Sequence, residues 1–323
     1  MYKIILILSL ALLLIQCGKS PDPDQPPNVH QEAVSPDHPA PEGFVAAGAE
    51  WETLVQGYVY SDSPAADATG NVYYTEVTFN HLYKLDTAGE VSLADEDTAM
   101  TMGLVMGVDG LLYACRNHDA QIVRYNENGL IEVLLQGEVT PLPNKPKAPG
   151  EFCNDLAINS AGGIWFTDRV NRRVMYLDPN GSVRPVAEGF RPNGIVLSAD
   201  RKTLAVTDSN EPRLHAFSVG ENGSLEEKID FFDPVLTIQK LGEQKIFRSG
   251  ANGMTVDSDG NFYLSSFYGI QIFDREGSYV GVIGFSQGFI SNLTFGGPGY
   301  QWLYATGRHG VYRLKMQAKG VGW

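Results

Sequence analysis

The chain has 323 residues, of which 43% are hydrophobic and 19% charged, and its formal net charge is −14. This composition is typical of a globular protein, and the length accommodates one large all-β domain or two smaller domains. The excess of acidic residues argues against nucleic-acid binding, because contacts to phosphates need a basic surface.

The N-terminus is predicted to be a signal peptide covering residues 1–16. An uncharged apolar run from Ile4 to Ile15 is too short to span a bilayer. Cys17 follows this segment as in a bacterial lipobox, although Gln16 stands where a small residue is usual. We therefore expect lipidation of Cys17 and an extracytoplasmic, membrane-anchored lipoprotein, either periplasmic or at the cell surface. The alternative is an ordinary secreted protein with an incidental cysteine.

Residues 17–43 are predicted to be a tether. They are rich in Pro and Asp and contain almost no large apolar side chains, so they cannot build a core. We expect a semi-extended spacer between the signal peptide and a domain at 44–323. Membrane contact is expected only through the lipid anchor.

From residue 44 onward one phrase recurs, a turn followed by a short apolar strand that ends in a small or polar residue. The six copies are TGNVYYTE, DGLLYACR, GGIWFTDR, DRKTLAVTD, DGNFYLSS and GYQWLYATG, beginning at positions 69, 109, 162, 200, 259 and 299. A second strand phrase follows each copy, and five copies continue into a polar turn and a further short strand.

The copies are spaced by about 40 residues. The steps between Val72, Leu112, Ile164, Leu204, Phe262 and Leu303 are 40, 52, 40, 58 and 41, and the two long steps contain insertions at 140–152 and 233–247. Several short antiparallel strands per unit at this period are typical of a propeller blade. We therefore predict an all-β fold, a six-bladed β-propeller, because a barrel or sandwich does not require one phrase six times.

One position is polar in nearly every unit. In a propeller the first strand of each blade lines the central channel, so the residue just before that strand lies at the channel mouth. The six units place there Asp62, Met102, Asn154, Asn193, Asn252 and Ser291. Because the blades converge on one axis, these side chains can reach a common point, and oxygen ligands suit a hard cation such as Ca²⁺. The alternative for any single Asn is that it caps a turn.

Cys115 and Cys153 are the two cysteines of the predicted domain. In an extracytoplasmic protein they could pair, but the sequence does not give their separation. We expect two buried free thiols, with a disulfide as the alternative.

The repeat phrases resemble those of the senescence marker protein / gluconolactonase / luciferin-regenerating enzyme-like family of six-bladed propellers. The matching stretches are SPAADATGNVYYTE, CNDLAINSAGGIWFTD, RPNGIVLSADRKTLAVTDS, GANGMTVDSDGNFYL and LTFGGPGYQWLYAT, which fall in the family order within 44–316. The resemblance implies a divalent metal at the channel, Ca²⁺ with Zn²⁺ or Mn²⁺ as alternatives, held by a Glu, two Asn and an Asp. It also implies hydrolysis of lactones, including sugar lactones, or of phosphotriesters in some relatives.

Two of the four implied ligands match and two depart. The two Asn carry over onto Asn154 and Asn193, whereas Asp62 stands in place of the Glu and Asn252 in place of the Asp. Asp62 keeps the negative charge but has a shorter reach. Asn252 keeps one oxygen and loses a negative charge, which weakens Ca²⁺ binding. As an amide it cannot act as a nucleophile or general base.

A different residue would then have to accept a proton, and the candidates are Asp155, His118 and His309. Asp155 directly follows a ligand Asn, so strand alternation would turn it away from the metal and toward backbone N–H groups. His118 and His309 each follow a repeat strand, where they could line the pocket. Arg116 and Arg191 could orient an anionic or hydroxylated substrate. The alternative for these four is an exposed side chain without a role in the site.

The sequence therefore predicts a metal-dependent lactonase that resembles gluconolactonase, with a lactone or sugar-acid derivative as its small-molecule substrate. The metal would be held by Asp62, Asn154, Asn193 and Asn252, and would polarise the lactone carbonyl. The alternatives are a non-catalytic ligand-binding propeller, which Asn252 favours, and a phosphotriesterase-like hydrolase at the same site.

Overall fold

The computed structural model describes residues 40–126, 128–142, 150–237 and 249–322. These residues form six separate four-stranded antiparallel sheets, which confirms the predicted six-bladed propeller. The predicted signal peptide, Cys17, nearly all of the tether and parts of both insertions lie outside the described residues.

The first three blades follow the repeat in chain order, after an N-terminal strand at Glu52–Tyr58 (β1) that belongs to the last blade. Blade 1 contains Ser61–Ala66 (β2), Val72–Glu76 (β3), His81–Leu85 (β4) and Val91–Asp95 (β5). Blade 2 contains Thr101–Met106 (β6), Leu112–Arg116 (β7), Gln121–Tyr125 (β8) and Ile131–Gln136 (β9). Blade 3 contains Leu156–Ile158 (β10), Ile164–Asp168 (β11), Arg173–Leu177 (β12) and Val183–Glu188 (β13).

The remaining blades have the same order of strands. Blade 4 contains Pro192–Leu197 (β14), Thr203–Asp208 (β15), Leu214–Val219 (β16) and Leu225–Glu227 (β17), and blade 5 contains Met254–Val256 (β18), Phe262–Ser266 (β19), Gly269–Phe273 (β20) and Tyr279–Ile283 (β21). Blade 6 contains Ile290–Gly296 (β22), Trp302–Gly307 (β23) and His309–Lys315 (β24). Short 3-10 turns lie at Glu221–Gly223 and Pro298–Tyr300. Within the described ranges no helix has the length and apolar character needed to cross a membrane.

The N-terminal strand closes the ring. β1 pairs antiparallel with β24, with Glu52 opposite Arg313, and so supplies the fourth strand of blade 6. This explains why the sixth copy of the repeat lacks a further strand phrase. Joining the two ends of the described chain within one sheet protects the edges that an open ring would expose.

Aspartates in the turns fix the first hairpin of several blades. In blade 1, the Asp67 carboxylate accepts hydrogen bonds from the backbone N–H groups of Thr69 and Asn71, at 2.9 and 3.0 Å. Asp257 accepts the equivalent bonds from Asp259 and Asn261 in blade 5. These side chains satisfy turn N–H groups that have no ladder partner, which is why Asp recurs before the repeat phrase.

The core lies between neighbouring blades. Trp165 of blade 3 is fully buried against Ile195 and Leu204 of blade 4, and its Nε1–H donates to the carbonyl of Gly223 at 3.0 Å. The repeat aromatics therefore hold blades together, as expected for large side chains on the inner strands.

The two cysteines of the domain correct a prediction. Cys115 in β7 and Cys153 form a disulfide, with their Cα atoms 5.7 Å apart, so they are not the free thiols that the sequence favoured. The bond joins blade 2 to the segment that enters blade 3. Sequence could not give this result because the two residues are 38 positions apart, and only the packing of adjacent blades brings them together.

Candidate functional site

Six side chains at one end of the innermost strands form what we call the mouth ring. Its members are Asp62, Met102, Asn154, Asn193, Asn252 and Ser291, one from each blade. Four of them are the second residue of an innermost strand rather than the residue before it, so the predicted strand starts were too late in those blades. The backbones of neighbouring blades contact one another here: the N–H of Gly253, which follows Asn252, donates to the carbonyl of Ser291 at 3.0 Å.

Tyr60 lies close to two members of the ring. Its phenol interacts with the side-chain amide of Asn252 in blade 5 and with the carboxyl group of Asp62 in blade 1. Side chains of the first and fifth blades therefore meet around one phenol.

The two remaining amides belong to blades 3 and 4. Asn193 donates through Nδ2 to the hydroxyl of Ser209 at 3.4 Å, which leaves its Oδ1 unengaged by that bond. Asn154 is largely buried, with 7% of its surface exposed.

The residues that follow the mouth ring also face the channel. Asp155 and Asn292 both line it, although alternation would turn Asp155 away. The reason is a bulge, since Thr167 donates its N–H to Asp155 and accepts from the N–H of Asn154 through its carbonyl. Asn154 and Asp155, two successive residues, therefore lie opposite the single residue Thr167. This interrupts the alternation by which successive side chains of a strand point to opposite faces of the sheet.

Asp155 and Asn292 form a second polar layer below the mouth ring, and a glycine makes room for it. A Cβ on Gly253 would lie 1.9 Å from Oδ1 of Asn292, so a larger residue there would displace the Asn292 amide. The side chain of Asn292 lies close to Asp155 and favours its charged form. Asp155 also accepts from the backbone N–H groups of Leu156 at 2.9 Å and Ile195 at 3.3 Å, as the sequence predicted for backbone contacts.

Burial dominates the electrostatics of the two carboxyl groups. It raises the pKa of Asp62 to about 7, against hydrogen bonds from Ser63, Ser291 and Tyr60 that favour the charged form. Burial likewise raises the pKa of Asp155 to about 8, and the neighbouring charge of Asp62 adds to the effect. Two acids with raised pKa values at one mouth create a position where a cation would be favourable.

A cavity of about 110 Å³ lies in the channel beyond the mouth. Apolar side chains from the innermost strands of all six blades line it, including Leu104, Ile195 and Met254. Asp155 and Asn292 belong to this lining, as do the polar residues Arg201, Thr255, Thr294 and Tyr300. Polar groups therefore line the cavity as well as the mouth.

The four predicted substrate-binding residues occupy different environments. Arg116 is buried and engaged: it donates to the Asp119 carboxylate at 2.9 Å and to the carbonyl of Asp97 at 2.8 Å. His118 and His309 are exposed, in the loop after β7 and at the start of β24. Arg191 is partly exposed, directly before β14. The structure thus brings Asp62 and Asn252 into one connected cluster through Tyr60, and keeps Arg116 in a network of its own.

The sequence did not single out Tyr60, Arg169, Arg308 or Asn292. Arg169 ends the repeat phrase of blade 3, pairs with Glu151, and lies close enough to influence both Asp62 and Tyr60. Arg308 also acts on Tyr60. A signal for Tyr60 was present, because it stands two positions before Asp62 and strand alternation puts such residues on one face.

The mouth ring fits a hard cation. One carboxylate and three amide carbonyls form an oxygen-only donor set, which suits Ca²⁺ more than softer metals. Over the described ranges, His, Cys, Asp and Glu side chains form no group of three that could hold a metal ion. A cation here would therefore depend on the amides of Asn154, Asn193 and Asn252 beside Asp62.

Comparison with known proteins agrees with this architecture. The family profile described as SMP-30/Gluconolactonase/LRE-like region matches residues 60–309. The chain belongs to this family. The match begins at Tyr60 and ends at His309, so it includes blades 1 to 5, strands β22 and β23 of blade 6 and the whole mouth ring.

Two relatives have names that state an activity. A gluconolactonase from Zymomonas mobilis is 29% identical over 190 residues, which are 52% of this chain and 51% of the relative. A lactonase drp35 from Staphylococcus saprophyticus is 30% identical over 198 residues, 53% of this chain and 57% of the relative. The matches thus span about half the length of these curated relatives.

Solved structures show the same fold. A gluconolactonase from Xanthomonas campestris superposes with a TM-score of 0.70 at 24% identity, over 86% of this chain and 94% of the other. A calcium-binding protein, regucalcin, from Agrobacterium tumefaciens gives a TM-score of 0.66 at 16% identity, over 84% and 96% of the two chains.

Proposed function

We propose that this protein is a lactone hydrolase that uses a divalent cation, Ca²⁺ in the first place, at the mouth ring. The observation that carries the proposal is the set of oxygen side chains from blades 1, 3, 4 and 5 at one end of the channel: Asp62, Asn154, Asn193 and Asn252. The family membership and the lactonases among its relatives support the reaction class. The calcium-binding neighbour supports the choice of cation.

The bound cation would polarise the lactone carbonyl. The described residues supply the rest of the chemistry. Tyr60 lies beside both Asn252 and Asp62 and favours the charged form of Asp62. We assign proton acceptance from the attacking water to Asp155, since Asn252 is an amide and Asp62 is needed as a ligand. Asp155 lies in the layer directly beneath the ring.

The decisive assay compares the wild type with Asn154→Ala on a panel of sugar lactones, with Ca²⁺, Zn²⁺ or Mn²⁺ added to chelator-treated protein. We expect turnover that depends on the cation in the wild type and is lost in Asn154→Ala. The matched control is Asn180→Ala, in an exposed turn of blade 3, which should keep wild-type activity. Loss of activity in both variants would contradict a specific role for Asn154.

The second candidate function is a binding module without turnover, and Asn252 is the observation that favours it. An amide at this place keeps a ligand oxygen but removes a group that could attack or accept a proton. Cation-dependent binding of a lactone, with no product formed with any metal, would identify this function. A phosphotriester in the same panel separates the phosphotriesterase-like alternative from both.

We also propose that the protein works outside the cytoplasm, attached through a lipid on Cys17. The Cys115–Cys153 disulfide supports an oxidising compartment, while Cys17 lies outside the described residues. Metabolic labelling with a fatty-acid analogue should mark the wild type and leave Cys17→Ser unlabelled. Labelling of Cys17→Ser to the same extent would exclude this anchor.

A further inference from the structure

One residue of each repeat phrase, three positions after the marker residue from which the repeat spacing was measured, forms a column next to the mouth ring. The column holds a hydroxyl side chain in five blades and a cysteine in blade 2: Thr75, Cys115, Thr167, Thr207, Ser265 and Thr306. All six residues are fully buried. A buried hydroxyl needs hydrogen-bond partners, so the partners of this column show what the position does.

In three blades the hydroxyl bonds to the ring residue of the next blade. Thr167 donates to the carbonyl of Asn193 at 2.7 Å, and Thr207 donates to the carbonyl of Asn252 at 3.0 Å. The Ser265 hydroxyl makes a longer contact of 3.4 Å with the carbonyl of Ser291. Each bond fixes the backbone of a ring residue from the side of its neighbouring blade, at the residue whose side chain faces the mouth.

Blade 2 uses a different link at the same place. Its column residue, Cys115, has no hydroxyl, and it is bonded covalently to Cys153, the residue that precedes Asn154. The backbone here is close-packed, since a Cβ on Gly103 would lie 2.8 Å from the Asn154 carbonyl oxygen and 3.2 Å from Sγ of Cys115. The sulfur of Cys115 thus occupies the neighbourhood of the Asn154 carbonyl.

A hydrogen-bonded clamp accompanies the disulfide. Oδ1 of Asn117, two residues after Cys115, accepts from the N–H of Phe152 at 2.8 Å and from the N–H of Cys153 at 3.3 Å. Asn117 itself is fully buried. Blade 2 therefore holds the segment that enters blade 3 at two points, immediately before the Asn154 ring residue.

We propose that the Cys115–Cys153 disulfide is a positioning device for Asn154, equivalent to the hydroxyl links that hold Asn193 and Asn252. The proposal rests on the proposed function, in which Asn154 is a cation ligand. Breaking the disulfide then frees the backbone of Asn154 and weakens cation binding, so the site is competent only in the oxidised protein. Changes to groups that orient metal ligands typically lower metal affinity about 10- to 100-fold.

The test uses two double variants that both lack the disulfide. Cys115→Ala/Cys153→Ala removes the link entirely, whereas Cys115→Thr/Cys153→Ala restores the hydroxyl found in the other blades. Calcium affinity is measured by titration calorimetry on chelator-treated protein, for both variants and for the wild type before and after reduction. Thermal unfolding is recorded for each sample.

The two readouts separate positioning from general stabilisation. Loss of the cross-link lowers the melting temperature of both variants, because neither constrains the unfolded chain. We expect calcium affinity to fall about 10- to 100-fold in the reduced wild type and the alanine variant, and to recover in the threonine variant. Equal affinity in all samples, or an equal loss in both variants, would overturn the proposal.

Hydrogen exchange gives a readout that does not depend on the metal. Peptides covering 150–158 should exchange faster in the alanine variant than in the threonine variant, when each is corrected for global stability. A wild type that binds no cation would remove the proposed function, and exchange would still decide the positioning role. Equal exchange in the two variants would contradict that role.

Discussion

The phenol of Tyr60 lies close to the side-chain amide of Asn252, and Asp62 lies beside the same phenol, so side chains of the first and fifth blades meet there. An amide at position 252 can donate a hydrogen bond to the phenol or accept one from it, whereas a carboxylate can only accept one. A change in Tyr60 or in Asn252 therefore alters the surroundings of the other at the mouth.

Tyr60→Phe tests this contact. The substitution keeps the ring and removes the hydroxyl that interacts with Asn252 and favours the charged form of Asp62. We expect a loss of about 1 to 3 kcal/mol in unfolding free energy and weaker calcium binding by calorimetry. Tyr58→Phe is the control, because Tyr58 lies in β1, the outermost strand of blade 6, and its hydroxyl bonds to the Tyr74 hydroxyl at 3.2 Å. Equal effects of the two changes on calcium affinity would contradict the assignment.

The Asn252→Asp variant tests how much calcium affinity is lost because residue 252 is an amide and not a negatively charged carboxylate. A second carboxylate in the ring adds a negative ligand, and we expect calcium affinity to rise about tenfold or more, since ligand charge sets affinity in oxygen sites. Without a cation the same change should lower the melting temperature, because a third acid is added near the buried carboxyl groups of Asp62 and Asp155.

Lactone hydrolysis by the wild type and by Asn252→Asp distinguishes the two candidate functions. Lactone hydrolysis in the wild type that increases in Asn252→Asp indicates an enzyme slowed by the amide. Hydrolysis only in the variant indicates a binding module in the wild type. Calcium affinity that stays the same or falls in the variant would contradict a ligand role for residue 252.

The pH dependence of stability should report Asp155. Burial raises the pKa of the folded carboxyl to about 8 from an ordinary value of 3.8, so the folded chain keeps a proton that the unfolded chain releases. This group's stabilising contribution is complete below about pH 4 and is lost as the pH rises through about 8. In chelator, the stability of the wild type relative to Asp155→Asn should fall by up to about 1.4 kcal/mol per pH unit in that window.

Denaturant unfolding at several pH values measures this difference. Comparison with the neutral variant cancels the contribution of the other acids, such as Asp67 and Asp208, whose pKa values are lowered. Added calcium should reduce the difference, because a cation favours the charged carboxyl. A difference that does not change with pH would show that Asp155 stays ionised in the folded protein.

The repeat was readable from sequence because each blade depends on the same local chemistry. Aspartate turns, small residues and apolar strands recur at one period, and the polar mouth ring follows once the units are aligned. The link from Tyr60 to Asn252 joins blades 1 and 5, and the disulfide joins blades 2 and 3. Contacts of this kind depend on how the ring closes, which no single unit encodes.

Strand alternation failed at Asp155 for a local reason. The bulges at the start of the innermost strands place two successive residues on the channel side, as the bonds of Thr167 to both Asn154 and Asp155 show. A bulge needs one extra residue opposite its partner strand, and the sequence pattern does not mark which residue that is. The second polar layer, with Asn292, was missed for the same reason.

The hydroxyl links offer a last test, in blade 4. Thr207→Val is nearly isosteric and removes the donor to the carbonyl of Asn252, so a buried carbonyl loses its partner. We expect a loss of about 1 to 3 kcal/mol in unfolding free energy together with weaker calcium binding. Thr53→Val, on the exposed face of β1, should change neither.

A double-mutant cycle between Thr207→Val and Asn252→Ala then isolates the link. If Thr207 acts on calcium through Asn252, its effect on affinity disappears once the Asn252 side chain is gone, while its effect on stability persists. Additive effects on affinity would show that Thr207 acts on the mouth by another route. Because Thr167 stands in the same relation to Asn193, the same cycle in blade 3 should give the same result if the hydroxyl column positions the ring as a whole.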